Sequence, residues 1–154
     1  MFSFHRRVVG LIVVAFVLHY IWENLHLPLY GGYEEVTDMS VTLYASMGDV
    51  LYTLGAVFLV ALFKKRADWF MAPSARDLCG LALMGGFIAA FVEYKAFAFG
   101  YWFYMTDMPI VPVLGIGLSP LLQMVIILPL SVLLAAFLDR AVRGLFWPRP
   151  RADL

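Results

Sequence analysis

The segment Val8–Tyr30 reads VVGLIVVAFVLHYIWENLHLPLY and decides the fold. A helix needs roughly 20 apolar residues to cross about 30 Å of hydrocarbon, and this run is long enough. Arg6 and Arg7 precede it, as they would in a signal peptide. No small-residue cleavage site follows, and His19 and Glu23 interrupt the run, so we expect a retained membrane helix.

Three further apolar runs of similar length follow, at about residues 41–63, 78–100 and 119–137. With the first run, at about residues 8–30, they take up more than half of the chain. The sequence therefore predicts an all-α, polytopic integral membrane protein whose residues 1–154 form a single domain of four transmembrane helices.

The composition agrees with this prediction. Of the 154 residues, 63% are hydrophobic and 14% are charged, whereas soluble domains average about 45–50% and about 25%. So few charges disfavour a soluble enzyme, a nucleic-acid binder and a disordered chain. A single cysteine, Cys79, excludes an internal disulfide.

The net charge is zero, but its distribution is uneven. Ten of the eleven basic residues would lie on one side of a four-span protein: Arg6, Arg7, Lys64, Lys65, Arg66, Arg76, Arg140, Arg143, Arg149 and Arg151. The opposite loops contain acids and no Lys or Arg. By the positive-inside rule, we expect a bacterial inner-membrane protein with both termini in the cytoplasm.

Ionisable groups inside the spans are the candidate functional residues, because burying them in a bilayer is costly. They include His19, Glu23, Asp49 and Glu93. Counted from the outer helix ends, the three carboxylates lie roughly 10 Å deep, with His19 near the midplane. The matched depth predicts one shared site in the extracytoplasmic half.

The segment between the third and fourth spans is unusually apolar. Four aromatic residues, 101–104, open it, and Pro109 and Pro112 prevent a helix. We expect a re-entrant or interfacial loop over the polar site. The candidate substrate-contacting residues are Trp22, Tyr52, Trp102, Tyr104 and Gln123.

These residues carry a resemblance that extends over nearly the whole chain. Its motifs are Trp22-Glu23 with Pro28-Leu29-Tyr30, Gly48-Asp49, Glu93, Trp102-x-Tyr104, Met108-Pro109, Gly115-x-Gly117 and Pro120-x-x-Gln123. Together they resemble a family of small uncharacterised bacterial four-span membrane proteins. This resemblance implies the fold and no activity.

A second, weaker resemblance is to the sterol-isomerase-like membrane family. His19-x-x-x-Glu23 is similar to its His/Glu span motif, and residues 48–52 look like a Gly-Asp segment of a later span. The resemblance implies proton transfer to and from an alkene, with carboxylates as acid and base.

Three functions fit the sequence, which leaves open whether the protein is an enzyme. The first is acid/base chemistry on a lipid or isoprenoid by Glu23, Asp49, Glu93 and His19, which requires no cofactor. The second is an iron or copper site in which His19, Glu23 and His26 are ligands.

The third is a non-catalytic role, either as an accessory or assembly subunit of a larger membrane complex or as a small transporter. The expected partners are the lipid bilayer, a lipid substrate, and a second copy or a larger membrane complex; no nucleic acid is expected.

Overall fold

The computed structural model describes residues 2–32 and 38–146. Four long helices account for most of them: α1 (Phe2–His26), α2 (Asp38–Lys64), α3 (Ala75–Phe99) and α4 (Leu118–Phe146). Each is long and apolar enough to span a membrane. The predicted all-α, four-helix membrane fold is confirmed. Of the basic residues used for orientation, Arg149 and Arg151 lie outside the described residues.

Two helix ends differ from the predicted bounds. Helix α1 ends at His26 rather than near residue 30, and a 3-10 turn, Leu27–Leu29, follows. Pro28 lies in that turn and lacks the N–H that a continuing helix would need. Helix α4 runs to Phe146, nine residues beyond the apolar run, because charged residues such as Arg140 extend a helix out of the hydrocarbon without ending it.

Local signals fix α3 at both ends. Ser74 and Asp77 form a reciprocal capping box at its start. At its end Gly100 adopts the left-handed conformation, with φ of 65°, which glycine reaches without steric cost.

Helix α4 is the most buried of the four and packs against both α1 and α3. Helices α3 and α4 come very close at Gly85 of α3, where an added Cβ would overlap the backbone carbonyl of Met124. Gly85 and Ala89 form the small-x-x-x-small pattern that lets membrane helices approach closely.

Helices α2 and α3 contact each other far less, which leaves an apolar groove of about 340 Å³ between them. Its walls come from both helices: Leu51, Tyr52, Gly55, Ala56 and Leu59 of α2, and Met84, Phe87 and Ile88 of α3. We call this the α2/α3 groove.

Four short strands form at one end of the bundle, and the sequence did not predict them. Strand β1 (Tyr30–Gly31) pairs antiparallel with β2 (Phe103–Tyr104), and β3 (Ile110–Val111) pairs with β4 (Ile116–Gly117). The first pairing joins the ends of α1 and α3. We call this end the outer end, and the opposite one the basic end.

At the basic end a 3-10 helix, Trp69–Met71, closes the bundle. All three of its side chains are buried, and the indole N–H of Trp69 donates to the carbonyl of Val57 at 3.1 Å. This apolar 3-10 helix packs chiefly against α4.

Candidate functional site

Four polar side chains from three helices meet in the outer half of the bundle, and we call them the carboxylate–amide cluster: His19, Glu23, Asp49 and Gln123. The amide nitrogen Nε2 of Gln123 donates to Glu23 Oε1 and to Asp49 Oδ2, each at 2.8 Å. The two carboxylate oxygens therefore lie within about twice that distance of each other. The structure brings Glu23 and Asp49 together, as their matched depth predicted.

His19 completes the cluster and is fully buried. Its Nδ1 lies 3.2 Å from Gln123 Nε2 and 3.4 Å from Asp49 Oδ2. Its Nε2 lies 3.1 Å from the hydroxyl oxygen of Thr53, one turn below Asp49 on α2. The imidazole thus links a carboxylate to a hydroxyl at the centre of the bundle.

A second imidazole holds the other side of Glu23. His26 Nε2 lies 3.1 Å from Glu23 Oε2, and His26 Nδ1 lies 3.0 Å from the hydroxyl of Ser119. The indole N–H of Trp22 also donates to Ser119, at 3.3 Å. Trp22 and His26 therefore contact the start of α4.

Of the three carboxylates predicted to share one site, Glu93 has a separate set of hydrogen-bond partners, in a cluster that adjoins the first where the rings of Tyr30 and His26 lie 5.2 Å apart. Glu93 accepts from Tyr30 Oη at 3.3 Å, from Trp102 Nε1 at 3.2 Å and from Tyr104 Oη at 2.5 Å. We call these four residues the Glu93 cluster. Glu93 lies at the same depth as Glu23 and Asp49, but the rotation of α3 about its axis directs the Glu93 side chain to the outer strands.

The Glu93 cluster anchors the outer strands to α3. The hydroxyl of Tyr104 donates to Glu93 and accepts from the amide of Gly117 at 2.7 Å. Burial raises the pKa of the Tyr104 hydroxyl, and the hydrogen bond to Glu93 raises it further. Tyr104 therefore stays protonated at neutral pH and keeps its donor role.

The metal alternative finds no support in this geometry. In residues 2–32 and 38–146, no three His, Cys, Asp or Glu side chains are arranged to hold a metal ion. Of the proposed ligands, His26 contacts Glu23, whereas His19 lies against Gln123, Asp49 and Thr53. The two imidazoles instead pair with different carboxylates, His26 with Glu23 and His19 with Asp49, so they do not converge on one point as ligands of iron or copper would.

The candidate substrate-contacting residues separate into four places, and Trp22 lies beside Ser119 at the start of α4. Gln123 bridges the carboxylate–amide cluster, and Tyr52 lines the α2/α3 groove. Trp102 and Tyr104 hold Glu93. Sequence reasoning missed the roles of Ser119 and Tyr30. Tyr30 lies within a sequence motif, but its partner Glu93 is 63 residues away and no local pattern identifies the contact.

Comparison with known proteins adds no assignment: no family model, curated protein or solved structure matches the chain.

Replacing Glu93 with glutamine is expected to loosen the outer strands. Three donors would then compete for one carbonyl oxygen, and a buried donor left without a partner costs about 1–3 kcal/mol. Hydrogen exchange at the amide of Gly117 should accelerate, while Arg76→Gln, at the exposed start of α3 and at the opposite end of the bundle, should leave it unchanged. Equal exchange in both variants would contradict the anchoring role.

Proposed function

We propose that the protein is an intramembrane enzyme that performs acid/base chemistry on a lipid or isoprenoid. The observation that carries this proposal is the carboxylate–amide cluster, in which two carboxylates and an imidazole surround one amide nitrogen. A purely structural hydrogen bond between helices needs only one polar pair. This cluster instead holds two carboxylates close together, where they repel each other when ionised.

Hydrogen counting in the cluster supports proton transfer. The Nε2 of Gln123 carries two hydrogens but has three acceptor-capable atoms within 3.2 Å. If both hydrogens go to the carboxylates, His19 is left to direct its own Nδ1–H toward Asp49 at 3.4 Å. The cluster therefore has a proton that imidazole and carboxylate can share.

Asp49 is the group that would touch the substrate. Its side chain is 17% exposed, against 0% for His19. Tyr52 and Ala56, three and seven residues further along α2, share its side of the helix and line the α2/α3 groove. An apolar chain bound in this groove at Tyr52 would lie about one helical turn from Asp49 along α2.

The chemistry that fits is movement of a double bond. Asp49 would donate its proton to an alkene carbon, and the carbocation would lose a proton from a neighbouring carbon to the same carboxylate or, through it, to His19. Atoms and electrons balance without an oxidant or a cofactor. Glu23, held by His26 and Gln123, would position the amide and offset the positive charge.

We further infer that the protein lies in a bacterial inner membrane with both termini in the cytoplasm. Described basic residues at the basic end, including Arg6, Lys64 and Arg140, support this orientation. The carboxylate–amide cluster would then lie in the extracytoplasmic half.

The test is isotope incorporation. Purified protein would be incubated in D2O with the total lipid extract of its expression host, and the lipids would be analysed by mass spectrometry after back-exchange in H2O. We expect at least one lipid to gain carbon-bound deuterium that is absent from a protein-free sample. Identical lipid spectra with and without protein would contradict acid/base chemistry on these lipids.

Filling the groove is expected to slow this incorporation while leaving the polar cluster intact. A Cβ at Gly55 would meet nothing within 4 Å, so Gly55→Leu places its side chain in open groove space. We expect a loss of about tenfold or more, typical of a pocket that no longer fits its ligand. Gly80→Leu, also at an uncontacted helix position but outside the groove, is the matched control. An unaffected rate in Gly55→Leu would exclude the groove as the substrate path.

A further inference from the structure

Three arginines at the basic end converge on one buried carboxylate. Asp139 Oδ1 lies 3.1 Å from Arg6, and its Oδ2 lies 2.6 Å from Arg143 and 3.5 Å from Nε of Arg7. The side chain of Asp139 is only 7% exposed. One carboxylate cannot neutralise three guanidinium groups, so this group has a surplus of positive charge.

Arg7 is the member least satisfied by its neighbours. Its Nε is buried and makes no hydrogen bond in the described part of the chain. Besides Asp139, its other acidic neighbour is Asp68, at 3.8 Å from NH1, and Asp68 is also bound by Arg66 at 2.9 Å. The Arg7 side chain as a whole is 17% exposed, and both of its ion pairs are long, so its guanidinium can still bind a further anion.

A cleft of about 140 Å³ between α1 and α4 adjoins these arginines. Its charged end is formed by Arg6, Arg7 and Asp139, and its other walls are apolar: Gly10, Val14, Ala135, Leu138 and Val142. Gly10 lies about one turn from the arginines toward the middle of the bundle, and a Cβ there would meet nothing within 4 Å. The cleft is charged at the membrane boundary and apolar toward the hydrocarbon.

We propose that this cleft binds an anionic phospholipid from the leaflet at the basic end. The phosphate would be held by Arg6 and Arg7, whose planar guanidinium groups match phosphate oxygens in pairs. The first part of an acyl chain would lie over Gly10 toward Val14. Basic pockets between membrane helices suit such headgroups, and the apolar walls favour a lipid over free phosphate.

Native mass spectrometry of the purified protein in detergent tests this proposal. The probes are dioleoylphosphatidylglycerol, dioleoylphosphatidylcholine and inorganic phosphate at equal concentration. We expect retained phosphatidylglycerol adducts and markedly fewer phosphatidylcholine adducts. Equal retention of the two lipids would overturn the proposal, as would inorganic phosphate that displaces phosphatidylglycerol, because the site would then bind a free ion.

Two variants locate the site, one by its charge and the other by its shape. Arg6→Gln removes one exposed donor, and Gly10→Leu fills the cleft without changing any charge. Arg6→Gln should weaken phosphatidylglycerol binding by about fivefold or more, the contribution of one basic side chain at an anionic surface. Gly10→Leu should weaken it at least as much, because its side chain occupies the space of the acyl chain. The matched controls are Arg140→Gln, whose Nε donates to the carbonyl of Ala136, and Gly80→Leu. Unchanged binding in Gly10→Leu would contradict the proposal, even if Arg6→Gln failed to fold.

Discussion

Replacing Asp49 with asparagine is expected to lower the rate of deuterium incorporation into lipid by at least about 100-fold, the usual contribution of a general acid or base. Asparagine has nearly the same shape, and its carbonyl oxygen accepts the hydrogen bond that Gln123 now donates to Asp49. It cannot give or take a proton at neutral pH. The rate should therefore fall while thermal stability changes little, and both quantities are measured on the same purified sample.

Asp107→Asn is the matched control for this variant. Asp107 is an exposed acid in the loop at the outer end, outside both polar clusters. Its replacement should leave incorporation at the wild-type rate. A wild-type rate in Asp49→Asn would remove Asp49 from the chemistry.

Replacing Gly85 with alanine is expected to separate α3 from α4 and to produce the largest loss of stability. The added Cβ would overlap the backbone carbonyl of Met124, and a backbone cannot rotate away as a side chain can. Overpacking costs typically about 1–3 kcal/mol, and here the displaced contacts belong to the most buried helix. The thermal unfolding midpoint in detergent should fall markedly.

The neighbouring glycine provides the control. A Cβ at Gly86 would meet the side chain of Val125 at 3.6 Å, which is an ordinary contact. Gly86→Ala should therefore match or exceed the wild-type midpoint, because alanine favours the helix. If the two alanine variants unfolded at the same temperature, close packing at Gly85 would not hold α3 against α4.

The sequence was sufficient for the four spans because each depends on a local quantity, the length of an apolar run. The end of α1 was less well predicted, since Pro28 ends the helix inside the apolar run and hydropathy does not reveal this effect. The strands at the outer end were not predicted at all. Their pairing joins Tyr30 to Tyr104, and such a contact depends on how the helices pack.

The same distinction explains the site. Depth follows from counting residues along a helix, so the common level of Glu23 and Asp49 could be predicted. The rotation of each helix about its axis could not be predicted, because packing against the other helices determines it. In α3 the close approach at Gly85 fixes the rotation, and Glu93 then lies against Tyr30 and the outer strands.

A double-variant experiment tests most directly whether Glu23 and Asp49 act as one unit through Gln123. The rates of deuterium incorporation are measured for Glu23→Gln, Asp49→Asn and the double variant. Groups that act together lose activity non-additively. We predict that each single variant is impaired and that the double variant is no slower than Asp49→Asn alone. A double variant whose loss equals the product of the two single losses, or a wild-type rate in Glu23→Gln, would contradict a single shared site.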